Sequence, residues 1–133
     1  MLNRRHLYSL ILTVRLLKKP ETARAVLVGF SSSEDAGECV SKIIGAGIIP
    51  GGMEMMDRPA IHAAEDFVHA GYPRDVEALL IVELDGTESE VTELIGRVEA
   101  IARDNGAVHL KASRDEAERL SFWAGRKAAF PAV

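Results

Sequence analysis

Two strand–helix–strand units joined by an extra helix predict an α+β domain, a ferredoxin-like antiparallel sheet with helices packed on one face and a further helix at the C-terminal end. Three observations carry this βαβ-α-βαβ reading. Short β-branched or alternating runs recur near Ala23–Phe30, Gly51–Asp57, Glu77–Asp85 and Ala107–Ala112. Between them lie apolar stripes at helical spacing. Helix-start signals recur three times as a hydroxyl residue followed three positions later by Glu.

Taken in order, Val26, Leu27, Val28 and Phe30 mark the first strand. Ser31 and Glu34 have capping-box spacing, and Ala36, Cys39, Val40, Ile43 and Ile44 form the stripe of a helix that Gly45 and Gly47 end. The glycines of Gly45–Pro50 suggest a dinucleotide loop only superficially. The third glycine is missing, and the first follows a helix where such a loop would precede one. Met-rich Gly51–Asp57 is the second strand. Asp57 caps the next helix with Pro59 in its first turn, and that helix runs to about His69 before Gly71-Tyr72-Pro73. His62 and His69 with Glu65 between them are spaced too widely for an ordinary helical metal pair, so no metal ligands are assigned.

Ala78–Val82 are five consecutive apolar residues, a strand covered on at least one face, with Asp85-Gly86 as its turn. Thr87 and Glu90 form the second capping box, before the stripe Val91, Leu94, Ile95, Val98, Ile101 and Ala102. Asn105-Gly106 closes it. In the last strand Val108, Leu110 and Ala112 oppose His109 and Lys111. Ser113 and Glu116 are the third box and open the final helix, which Pro131 ends.

The chain has 133 residues, a formal charge of −4 and scattered basic residues, which suit one domain and do not point to nucleic acid. Cys39 is the single cysteine, so an intrachain disulfide is excluded and a reducing, cytoplasmic setting is expected. Arg4-Arg5-His6 before Leu7–Val14 has the outline of a signal peptide. Arg15, Lys18 and Lys19 follow at once, however, and the run is too short to span a bilayer.

The candidate site lies in the final helix. Arg119, Trp123 and Arg126 fall at i, i+4 and i+7 on one face. A guanidinium offers a planar fork that matches a carboxylate two bonds at a time, and an adjacent indole keeps water from one side of it. Taken alone, the pattern fits solvated helix charges beside a core tryptophan better than a binding site.

A resemblance adds to this. Trp123-Ala-Gly-Arg-Lys-Ala-Ala-Phe-Pro-Ala-Val133 resembles the substrate-side domain of the FAD-linked oxidases of vanillyl-alcohol oxidase type, and in particular glycolate oxidase flavoprotein subunits. Glu54–Asp57 with Ala64–Pro73, and Leu79–Glu88, agree in the same order. The resemblance covers about Leu12–Val133; Met1–Leu10 stand outside it. It implies that residues 1–20 are a leader and a strand left from the linker to an FAD domain. Residues 21–133 would be the substrate cap domain, short of its C-terminal end. It also implies that Arg126 grips a substrate carboxylate, that Lys127 adds positive potential, and that Trp123 and Phe130 shape the pocket wall.

The implied protein is an FAD-dependent 2-hydroxy-acid oxidoreductase of glycolate type. It would act with other subunits of a glycolate oxidase complex, and membrane association through those subunits stays open. The implied flavin contacts, and a His-containing motif of Gly-Asp-Gly-Asn type that supplies metal ligands or the base, lie outside these residues. No catalytic residue is therefore assigned, no turnover is expected of the chain alone, and the uncovered docking face is expected to drive self-association. The alternative is a free-standing ferredoxin-like ligand-binding or dimerisation module without catalysis.

Overall fold

The computed structural model describes residues 21–129, with side chains through Arg126. Met1–Pro20, the Lys127 side chain, Phe130 and Pro131 lie outside the described residues. The element order is β1 (Thr22–Phe30), α1 (Ser33–Gly45), β2 (Gly52–Asp57), α2 (Arg58–Val68), β3 (Ala78–Gly86), α3 (Glu88–Asp104), β4 (Ala107–Ala112) and α4 (Glu116–Ala129). The strands form one sheet in the order β2-β3-β1-β4, with every neighbouring pair antiparallel. Both strand–helix–strand units are therefore split by a central strand, the arrangement the sequence pattern predicts.

The alternation of the two central strands divides the interior into two cores. Val26, Val28 and Phe30 of β1 and Ala78, Leu80, Val82 and Leu84 of β3 face one side, where Ala36, Cys39 and Ile43 of α1 and Val91, Ile95, Val98 and Ala102 of α3 cover them. The two crossover helices thus share one face, as expected. Ala25, Leu27, Leu79 and Ile81 face the other way, against Ile61 and Ala64 of α2, against Tyr72 and Val76 of the segment after it, and against Phe122 of α4. The connecting and final helices cover the second face, so helices pack on both faces of the sheet where one was expected. This is why β3 reads as an unbroken apolar run: both of its faces are dry.

Several local expectations need correction. The cap of α1 is Ser32, not Ser31; its Oγ accepts from the Asp35 N–H at 3.1 Å. Ile44 is 59% exposed because the helix ends beside it, and Ile48 takes the inward place beyond the turn. Asp85 and Gly86 belong to β3 itself. Val108 is 55% exposed: β1 pairs Gly29 with His109 and then Phe30 with Ala107, so Val108 is left over in a bulge and Ala107 packs inward instead. Ser113 does not cap α4. It is buried and its Oγ accepts from the Ala25 N–H of β1 at 3.0 Å, while Asp115 Oδ1 accepts from the Glu118 N–H at 2.8 Å and serves as the cap.

The other two helix starts are as read. Asp57 Oδ1 accepts from the Ala60 N–H at 3.1 Å. Thr87 and Glu90 form a reciprocal box, with Thr87 Oγ1 accepting from the Glu90 N–H at 3.2 Å and Glu90 Oε1 accepting from the Thr87 N–H at 3.0 Å. Thr87→Ala orphans one of those donors and is expected to cost about 1 kcal/mol, read as a lower urea midpoint at unchanged slope.

Candidate functional site

The second face has a polar corner. On β2, Gly52 and Glu54 share parity with buried Met56; on β3, Glu83 shares parity with Leu79 and Ile81. Gly52 is the direct cross-strand partner of Glu83. Helix α4 lies over this corner because Phe122 is buried in the second core, and Ser121 Oγ reaches the Ala70 carbonyl at 3.5 Å. That seating turns Arg119, Trp123 and Arg126 toward β2 and β3.

The structure separates the roles of the two arginines. Arg119 is committed internally: Nη1 donates to Glu83 Oε1 at 2.5 Å and Nε donates to Glu116 Oε2 at 2.9 Å. Hydrogen bonding to Glu116 first, and then to Glu83, holds its guanidinium above even the usual arginine range. Arg126 is looser. Its Nε lies 3.5 Å from Glu54 Oε2, with 43% of the arginine side chain exposed. Together with Gly52, Met53, Glu54 and Trp123 it lines a shallow concavity of about 310 Å³. The indole ring lies over Gly52, where a Cβ would sit 3.4 Å from it, and its Nε1 donates to Glu83 Oε1 at 2.9 Å. Trp123 and Arg126 are thus brought together as the sequence predicts. The side chain of Lys127 and all of Phe130 lie outside the described residues.

Sequence reasoning missed Glu54 and Glu83. It also missed the clasp beneath the site, where the phenol of Tyr72 donates to the Phe122 carbonyl and its ring lies on Gly125. The Tyr72 N–H donates to buried Glu65 Oε1 at 2.8 Å. Burial, and then the Glu65 carboxylate, push the Tyr72 phenol above its ordinary range. Two of the motifs singled out in the sequence, around Tyr72 and around Arg126, are therefore one contact in space.

His62, Glu65 and His69 do not converge. His62 Nε2 bonds the Arg74 carbonyl at 2.9 Å, Glu65 serves Tyr72, and His69 is the left-handed cap of α2. Among the described residues no group of three or more metal-ligating side chains could hold an ion. Ser32, Asp57, Thr87 and Asp115 each place a side-chain oxygen on one N–H at the start of their own helix. No helix among the described residues is long and apolar enough to cross a membrane.

The chain is similar to known proteins over most of its length. Glycolate oxidase subunit GlcD of Escherichia coli (strain K12) is 59% identical over 121 residues, 91% of this chain and 24% of that protein. Its counterpart in Bacillus subtilis (strain 168) is 32% identical over 120 residues, 90% of this chain and 26% of that protein. "Probable D-lactate dehydrogenase, mitochondrial" of Danio rerio is 29% identical over 121 residues, 91% of this chain and 24% of that protein. The chain spans about a quarter of the length of these relatives. Among solved structures, an alkyldihydroxyacetonephosphate synthase matches with a TM-score of 0.62 at 17% identity, covering 84% of this chain and 23% of that one. That likeness shows the fold alone. A family model for the C-terminal domain of FAD linked oxidases matches residues 19–133, and the chain belongs to that family.

Proposed function

We propose that this chain is the substrate-side domain of an FAD-dependent 2-hydroxy-acid oxidoreductase of the glycolate oxidase type, and that it contributes binding, not chemistry. The observation that carries this reading is the setting of Arg126: a half-exposed guanidinium beside an indole, in a concavity, with a single carboxylate loosely held against it. An ion pair this open is worth about 0–1 kcal/mol, so a substrate carboxylate can displace Glu54. The fork then holds the carboxylate by two parallel bonds and fixes where the α-hydrogen points. Trp123 shields one side of that contact from water. Lys127, next in sequence, adds positive potential.

Flavin, when bound, would supply the redox chemistry by taking a hydride from the α-carbon, while the hydroxyl proton leaves to a base outside the described residues and the 2-oxo acid results. No described residue is assigned to that step. The 59% identity to a glycolate oxidase subunit supports this reading over a free-standing sensor. Partner subunits of a glycolate oxidase complex, a cytoplasmic setting, and self-association through exposed Ile49 and Phe67 belong to the same proposal.

The test compares the full-length oxidase carrying this domain with the 133-residue chain, each given glycolate, FAD and a dye acceptor. Reduction of the dye is expected from the former and none from the latter. Turnover by the short chain would overturn the assignment of its residues to binding only. A full-length protein inert toward every small 2-hydroxy acid would overturn the substrate class.

A further inference from the structure

A carboxylate on the covered face of a central strand needs a reason, because burying one without donors is costly. Glu83 follows Leu79 and Ile81 on the face of β3 that α4 covers. Its side chain is 19% exposed and that of Arg119 17%. One oxygen, Oε1, accepts from both Arg119 Nη1 at 2.5 Å and Trp123 Nε1 at 2.9 Å. An indole N–H is a donor only, so this bond sets the rotation of the ring about its long axis. Arg119 in turn is held from its other edge by Glu116, with Nε to Oε2 at 2.9 Å. The chain Glu116–Arg119–Glu83–Trp123 therefore ties the first turn of α4 to the middle of the sheet and ends on the ring that walls the Arg126 concavity.

We propose that Glu83 is the positioning residue of the substrate pocket. It holds the Trp123 indole in the plane that leaves the Arg126 fork open to a carboxylate and dry on one side. The proposal rests on the reading of Arg126 as a carboxylate clamp. Glu83 touches neither substrate nor flavin; its effect passes through Trp123.

Trp123 is the sole tryptophan of the chain, so its fluorescence reports the positioning without any substrate. In Glu83→Leu the indole loses its acceptor, and acrylamide quenching of the 133-residue chain is expected to rise clearly above wild type. Glu83→Gln keeps an oxygen for the indole and should stay close to wild type. In the full-length oxidase, Glu83→Leu is expected to raise KM for glycolate roughly tenfold or more, the scale at which a misplaced site loses function. kcat should change less, and flavin content should be unchanged. Trp123→Phe, which removes the N–H but leaves the Glu83–Arg119 pair in place, should raise KM in the same direction. If Glu83→Leu fails to fold, Glu83→Gln carries the test, and a quenching or KM far from wild type overturns the proposal.

Wild-type quenching in Glu83→Leu would overturn the positioning role. Increased quenching with an unchanged KM would show that the indole is held for some purpose other than substrate, and would overturn the proposal while leaving Arg126 to be judged on its own variant. A lowered melting temperature alone, with KM intact, would reduce Glu83 to a fold-stabilising ion pair.

Discussion

Replacing Arg126 by lysine in the full-length oxidase is expected to lower kcat/KM for glycolate about tenfold to a hundredfold while flavin content stays at wild type. Lysine keeps the charge, so any loss reports geometry. An ammonium is a point charge on a flexible stem and cannot offer two coplanar donors to one carboxylate. One charge-assisted hydrogen bond is worth about 1.5–3 kcal/mol, which sets the expected range at one decade for every 1.4 kcal/mol. Both constants should suffer, since under the proposed function the clamp binds the acid and also aims its α-carbon. The opposite result is expected of Glu54→Gln. Its carboxylate is the resident partner, 3.5 Å from Arg126 Nε. An exposed pair worth at most about 1 kcal/mol implies a KM lowered by a factor of roughly two to five. Arg126→Lys with wild-type constants would remove the basis of the proposed function. Glu54→Gln with a raised KM would show instead that Glu54 belongs to the binding face.

The strands and crossover helices were legible because period and capping chemistry act locally. The run Ala78–Val82 announced a covered strand, and Thr87 with Glu90 announced a helix start; both hold. What stayed hidden depends on which faces meet. Period two assigns Glu83 to the side of Leu79 and Ile81, but nothing within β3 says that a helix thirty residues later will cover that side. Had the apolar face of α4 been docked there first, Glu83 would have stood out as an acid in a core position. Ser113 misled for a related reason: its spacing to Glu116 suits a cap, yet its hydroxyl serves the Ala25 N–H across the sheet. The cap falls to Asp115. Val108 misled because alternation presumes an unbroken register, and the bulge between β1 and β4 resets the phase. In the site, helical spacing put Trp123 and Arg126 on one face of α4, but taken alone it favoured solvated charges beside a core tryptophan; their binding role came from the family resemblance. Glu54 was not legible, since a lone acid on an edge strand reads as solvated until a guanidinium is placed over it.

Gly125→Ala is expected to destabilise the chain, against the intrinsic preference of a helix. Alanine in a helix interior is favoured over glycine by about 1 kcal/mol, so an unobstructed site would gain. At this position a Cβ would point into the Tyr72 phenol ring. The ring is in no position to swing aside. It is buried with Ile61, Ala64 and Phe122, its hydroxyl donates to the Phe122 carbonyl, and its own N–H is held by Glu65. Moving it would strand a buried hydroxyl as well as open a void. Overpacking of this kind costs about 1–3 kcal/mol and sometimes more; with the atom fixed to the backbone the upper end applies, and the net loss is expected near 2 kcal/mol. Thermal denaturation of the 133-residue chain should show a drop of several degrees. The decisive comparison is a double-mutant cycle with Tyr72→Leu, which opens the space at its own cost. In that background Gly125→Ala should become neutral or stabilising, because only the helix preference remains. Equal destabilisation in both backgrounds would mean that the glycine is required for some reason other than the clasp.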